Sequence, residues 1–213
     1  MPELTIAEEV VLIALDDEKG AGASRLGVDY AVAGACLVDL VLAQRITVGD
    51  DDVITVVQPT PTGTPHLDRT LEAITRGKNT KVAKALRRTR RSASRAAIAA
   101  LVERGVLHQE RARVLGVFPT HRYPQREGAA EAEVRARLAE TVVKGQPADD
   151  RTAALIGLLY SGKLWRKAVP EGERGQVKAQ MREISEGQNI SPAVRQAIAR
   201  TRGAIIAMAS SGG

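Results

Sequence analysis

Apolar residues recur at helical spacing along most of this chain and give way to β-branched runs in two places. Thr5-Ile6-Ala7-Glu8 reads as a capping box, with Thr5 as N-cap and Glu8 reaching back to it. Val10, Val11, Ile13 and Ala14 carry the pattern on, which predicts a helix from Ile6 to Asp16 and a flexible loop at Gly20-Ala21-Gly22. Val28 to Ala43 is apolar almost all round, with Asp29 and Asp39 as the exceptions, so it predicts a buried helix. Arg45–Val48 and Val53–Val57 flank the turn Gly49-Asp50-Asp51-Asp52 and predict a hairpin. Pro59 to Pro65 reads as a loop and Leu67 to Ile74 as a short helix.

Val82 to Glu103 predicts a long helix, basic in its first half and alanine-rich in its second, with Gly105 at the C′ position. A second β-like stretch begins at Val106 and Leu107, with an apolar tip from Val114 to Phe118, closed by Pro119 and Pro124. Further helices are predicted over Glu131–Val143, Asp149–Lys167, Glu173–Glu186 and Pro192–Met208; Ser191 and Pro192 form the N-cap and N1 pair of the last. The expected fold is therefore mainly α: a single compact helical domain over residues 1–209 with two or more β-hairpins, and a frayed tail at 210–213. Twice a helix runs into a hairpin, at Leu40–Val57 and Ala100–Phe118, which is also the pattern of a winged helix.

Composition narrows the classes. Apolar runs such as Ala153 to Tyr160 fall well short of the ~20 residues a membrane span needs. No basic segment followed by an apolar run marks a signal peptide, so a soluble, cytoplasmic protein is expected. Cys36 is the only cysteine, which excludes an internal disulfide and a cysteine zinc cluster. Aromatics are 2% of the chain, so the core must be aliphatic, and nucleic-acid sites built on stacked aromatic rings are disfavoured.

Catalytic motifs fail one by one. Gly157 to Lys163 spells most of a P-loop, but Leu164 stands where a Ser or Thr must bind magnesium, and no strand leads into it. Gly20-Ala-Gly22 lacks the third glycine of a dinucleotide fingerprint. His66, His108 and His121 have no zinc-site spacing; His66 and Asp68 could touch, but a structural role suits them better. Cys36 lies on an apolar face as a core residue. No nucleophile, base and oxyanion hole come together, so an enzyme is not expected, and no metal or cofactor is implied.

The formal charge of +6 is unevenly spread. Residues 1–75 hold 4 basic and 13 acidic groups, whereas residues 76–95 hold 9 basic groups and no acid. Lys81, Lys84, Arg88, Arg91 and Arg95 recur at spacings of three and four and so share one helix face, flanked by Arg87, Arg90, Arg76 and Lys78. Like charges on one stripe repel, and an external anion, a phosphate above all, relieves that cost. Downstream, Val114, Leu115, Val117 and Phe118 form an apolar hairpin tip framed by Arg111, Arg113 and Arg122, a composition suited to a headgroup layer. The same tip could instead pack on its own domain or on another subunit.

An ordered set of stretches resembles the Golgi phosphoprotein 3 family, phosphoinositide-binding Golgi adaptors with bacterial members. These are Leu4-Thr5-Ile6-Ala7-Glu8-Glu9, Asp16–Gly20, Gly34–Leu40 with Arg45-Ile46, Pro61-Thr62-Gly63 with Leu67-Asp68, Leu101–Leu107, Tyr123-Pro124 and Arg151–Ile156. They cover about residues 4–170. The resemblance implies a mostly helical, non-catalytic domain. It also implies a basic pocket for phosphatidylinositol 4-phosphate and a hydrophobic hairpin for membrane insertion and oligomerisation. The first arginine of the family's Arg-x-x-Arg headgroup pair matches Arg91; the second falls on Ser94, with Arg95 one place along. The family's pocket tryptophan falls near Ser24, beside Arg25, and a further pocket arginine falls on Ala33. The family hairpin aligns with Glu110 to His121. The hairpin is thus retained and the pocket partly retained.

The expectation is a non-enzymatic, peripherally membrane-associated protein that binds anionic lipid headgroups. Its sites would be Lys84, Arg88, Arg91, Ser94, Arg95, Ser24 and Arg25 for headgroups, and Arg113, Val114, Leu115, Val117 and Phe118 for the membrane or a second copy. Protein cargo is a further expected partner. Two alternatives stay open: a winged-helix-like nucleic-acid binder using Lys81–Arg95, and a scaffold whose acidic face at Asp50–Asp52 meets other proteins.

Overall fold

The computed structural model describes residues 3–15, 25–114, 118–123, 128–186 and 190–210. Nine helices and four strands follow one another among them: α1 (Ile6–Ala14), α2 (Arg25–Leu42), β1 (Ile46–Val48), β2 (Ile54–Val56), α3 (Pro65–Thr75), α4 (Val82–Glu103), β3 (Glu110–Val114), β4 (Phe118–Arg122), α5 (Ala129–Val142), α6 (Asp150–Ser161), α7 (Trp165–Ala168), α8 (Arg174–Glu186) and α9 (Pro192–Ser210). The mainly α expectation holds. Both strand pairs are antiparallel hairpins, with Ile46 opposite Val56 and Glu110 opposite Arg122.

Helix α2 is the hub, packed by α1, α3, α4, α6 and α9. Its apolar circumference leaves no polar face for water, so it can lie only inside. Gly34 permits the closest of these approaches: a Cβ there would stand 2.5 Å from Thr201 Cγ2 and 2.9 Å from Leu158 Cδ2. One apolar cluster joins α2 to Ile6 and Leu12 of α1, Leu86 and Leu101 of α4, Leu155 of α6 and Ile198 of α9.

Helices α1, α2 and α4 are tied by polar groups at their ends. The capping box of α1 is present in full, with Thr5 Oγ1 accepting from Glu8 N–H and Glu8 accepting from Thr5 N–H. Asp39 of α2 accepts from Ile6 and Ala7 N–H, and Glu8 pairs with Arg104 at 2.9 Å just past α4. Nearer the N-termini of α2 and α4, Arg90, the ninth residue of α4, stands 3.9 Å from Asp29 in the second turn of α2. Helices α2 and α4 therefore run side by side in the same direction.

Helix α1 ends at Ala14, short of the predicted end, because its C-cap Leu15 is already extended; Asp16 and the Gly20–Gly22 loop lie outside the described residues. Val106 and Leu107, read as the start of a strand, are buried core residues; Leu107 makes an isolated β-bridge, and the continuous strand begins at Glu110. The helix predicted over Asp149–Lys167 is two helices, α6 and the short α7, parted at Gly162 and Lys163. Gly162 packs so tightly on α2 that a Cβ would meet Ala31 Cβ at 3.1 Å, and Lys163 takes the left-handed turn at φ 59°. Gly105 does take the left-handed position expected of it after α4, at φ 73°.

Candidate functional site

The basic helix is held at its start by the first hairpin. Val82 N–H donates to Asp52 O at 3.0 Å and Ile54 N–H to Thr80 O at 2.9 Å, while Val53 bridges to Lys81. From there the helix divides by its own period. Val82, Ala85, Leu86, Ala93, Ala97 and Leu101 are buried, and small alanines let α4 lie close to its neighbours. Lys81, Lys84, Arg87, Arg88, Arg91 and Arg95 are exposed on the other side. Among the described residues no carboxylate lies within ion-pair distance of any of these six. Elsewhere arginines do find carboxylates: Arg104 on Glu8, Arg137 on Glu9 and Arg202 on Glu186.

Local contacts organise the stripe. The Arg88 guanidinium lies over the turn at Gly77, where a Cβ would meet its Nη1 at 3.3 Å. Arg95 Nε donates to Arg91 O at 3.1 Å. Arg90, counted as a flank of the stripe, turns inward instead; its guanidinium covers the Tyr30 ring at 5.2 Å from the centroid beside Asp29. A cation over an aromatic face is itself a stabilising contact.

Of the headgroup residues expected from the sequence, the fold gathers Lys84, Arg88, Arg91 and Arg95 on one exposed face. Ser94 is not on it: it lies one helix turn from Arg90, is buried, and its hydroxyl has no hydrogen-bond partner among the described residues. Arg25 opens α2, the helix whose first turns Arg90 touches, and Ala33 is fully buried within α2. Ser24 lies outside the described residues, as do Leu115 and Val117. Arg113 and Val114 close strand β3 and Phe118 opens β4, with Val114 opposite Phe118 across the hairpin.

The other candidates resolve as structure. His66 is buried, with Nε2 2.9 Å from Thr5 Oγ1, and burial pushes its imidazole below the ordinary range. Asp68 does not meet it; Asp68 accepts from Thr62 N–H and hydroxyl at 2.6 Å and from Gly63 N–H at 3.2 Å. Cys36 is fully buried and burial drives its thiol strongly upward, so it is a packing residue and not a nucleophile. The acidic turn is engaged from within: Arg200 reaches Asp50 at 3.5 Å and Asp52 at 3.4 Å, and Gln196 donates to Asp50 at 3.0 Å.

Spacing alone missed a buried polar cluster at the head of α1. Arg151 meets Glu9 at 3.1 Å, Glu3 at 3.4 Å and Asp39 at 4.0 Å, and also donates to Leu4 O. Arg137 meets Glu9 at 2.7 Å. Its one sequence signal is the pair of glutamates, Glu8 and Glu9, inside an otherwise apolar helix. Among the described residues no helix is long and apolar enough to cross a membrane.

Fold and site together define a mainly helical protein with two small hairpins and an uncompensated cationic helix face. Residues 6–201 match the Golgi phosphoprotein 3 (GPP34) family, and the chain belongs to it. Among curated proteins none matches the chain.

Proposed function

We propose that this protein is a peripheral membrane protein that binds anionic lipid headgroups, of the phosphatidylinositol 4-phosphate kind, through the exposed face of α4. The observation that carries the reading is the run Lys84, Arg87, Arg88, Arg91 and Arg95: exposed cations on one helix side with no carboxylate partner among the described residues. Such a face gains free energy from any surface of fixed negative charge, about 1 kcal/mol for each basic residue near it. Family membership supports the lipid as the anion and an adaptor role without catalysis. In this reading residues 1–209 act as one unit. The β3–β4 hairpin, with Val114, Leu115, Val117 and Phe118, enters the headgroup layer or joins a second copy, and protein cargo docks elsewhere.

Vesicle sedimentation tests the proposal. The protein should pellet with vesicles containing phosphatidylserine or phosphatidylinositol 4-phosphate and stay in solution with phosphatidylcholine alone. Binding should weaken as salt rises. Equal pelleting with neutral vesicles would reject it. So would tight, salt-sensitive binding to duplex DNA with none to anionic vesicles.

A further inference from the structure

A cavity of about 460 Å³ lies among the end of α6, α7, α8 and the last turns of α9. None of its walls comes from α4. Its charged side chains are all cations, Lys163, Arg166 and Lys178, and among the described residues none of the three has a carboxylate partner. Beside them stand the phenol of Tyr160, the indole of Trp165 and Ile206, a half-exposed apolar side chain.

The backbone here is arranged at a cost. Leu164 N–H donates to Leu159 O at 2.8 Å and Lys163 N–H to Tyr160 O at 3.1 Å, the bonds of a helix ending in a left-handed residue. Glycine normally fills that place because a Cβ there is strained. Glycine stands one residue too early: Gly162 is used for its close approach to Ala31, and the left-handed place at φ 59° falls to Lys163. A lysine in that conformation carries a strain that a glycine would not, and this lysine lines the cavity. Arg166 is steadied as well, its guanidinium 5.0 Å from the centroid of the Trp165 ring. Lys163 ends the P-loop-like string of the sequence, but Gly157 to Ser161 is helical here and no strand aims it.

We infer that this cavity binds a small organic phosphate taken from solution, a phosphomonoester on a flat ring. The phosphate dianion sits among Lys163, Arg166 and Lys178, where charge-assisted hydrogen bonds hold it. The ring lies against Trp165 and Ile206. A bare phosphate would leave most of the volume and both apolar surfaces unused. The volume is within the range of small-molecule sites, and mixed apolar walls with a few convergent polar groups are what such sites share.

Trp165 is the only tryptophan in the chain, so its emission reads this cavity directly. Phenyl phosphate should change that emission saturably, with inorganic phosphate at least about tenfold weaker. Lys163→Gly is the decisive variant. It relieves the left-handed strain and so should raise the melting temperature, while weakening phenyl phosphate by about tenfold, the loss of one charged hydrogen bond. Arg166→Ala should weaken binding similarly. Arg88→Ala with Arg91→Ala should leave it unchanged, so the fate of this site is separate from that of the α4 surface. The inference fails if phenyl phosphate gives no saturable change or if Lys163→Gly binds like the parent. It also fails if emission responds only to vesicles containing phosphatidylinositol 4-phosphate.

Discussion

The carboxylate of Asp39, in the last turn of α2, accepts the backbone N–H of Ile6 at 3.1 Å and so caps the first turn of α1 from another helix. Ala7 N–H, at 3.2 Å, takes the second oxygen. Thr5 satisfies a further N–H of the same turn, so the start of α1 is closed partly by its own sequence and partly by the core.

That placement makes stability depend on pH. Burial pushes the Asp39 carboxyl up to about 7, against the opposing pull of the two N–H groups and Arg151. A carboxyl that binds its proton more tightly when folded contributes most below its unfolded value, near 4, and loses that contribution as pH rises through 7. Urea unfolding of the parent should therefore lose on the order of 4 kcal/mol relative to Asp39→Asn between pH 4 and pH 7.5. Parallel pH profiles for the two proteins would contradict this.

The α4 surface should be separable from folding. Replacing Arg88 and Arg91 together with alanine removes two exposed cations, and at about 1 kcal/mol each anionic vesicle binding should fall roughly tenfold to thirtyfold. Lys144→Ala removes a cation of like exposure that is paired with Glu140, and should change binding little. Melting temperatures of all three proteins should agree closely, since surface substitutions cost within about 0.5 kcal/mol.

Arg151 and Arg137 share Glu9 but not equally. Arg151→Ala leaves Glu9 only its Arg137 partner, takes a guanidinium away from Asp39 and frees Leu4 O, and should cost about 3 kcal/mol in denaturant unfolding. Arg137→Ala leaves Glu9 its Arg151 partner, so about 1 kcal/mol is expected. The double variant should cost more than the sum, because only then is Glu9 buried with neither guanidinium.

Gly34 offers a test of packing at the hub. A methyl group at this position meets Thr201 and Leu158 below 3.0 Å, with Ile205 at 3.3 Å behind them. Gly34→Ala should cost about 1–3 kcal/mol and lower the melting temperature by several degrees. Gly203, on the open side of α9 with nothing near it, should accept alanine with no loss.

Helix α4 was legible to its last residue because two local signals agree: an apolar period and Gly105 placed to turn the chain. The α1 capping box and the first hairpin were legible for the same reason. The break between α6 and α7 was not, because the apolar period over Ala153–Lys167 runs on past Gly162. What ends α6 is the neighbouring α2, which only the folded chain supplies. Arg90 misled in the same way: its place beside the stripe is correct in sequence, yet Asp29 and Tyr30 draw it inward. The turn at Asp50–Asp52 reads as an acidic face, and nothing in its own sequence marks the exposed ion pairs it makes with Arg200, far along the chain. Spacing reports one element at a time, so pairs between distant elements leave no mark in it.

The parallel course of α2 and α4 has an electrostatic consequence for the stripe. Peptide dipoles leave the equivalent of about half a positive charge at each helix N-terminus. Both N-termini lie at the same end, and the first turn of α4 holds no acid and no side-chain cap while carrying Lys84 and leading to Arg87 and Arg88. The cations thus stand where the backbone field already opposes them, so α4 is electrostatically frustrated at one end and relaxed at the other. An anionic layer compensates both the side chains and the dipole. Amide hydrogen exchange over residues 82–91 should slow on vesicles, while the alanine-rich half keeps its solution rate.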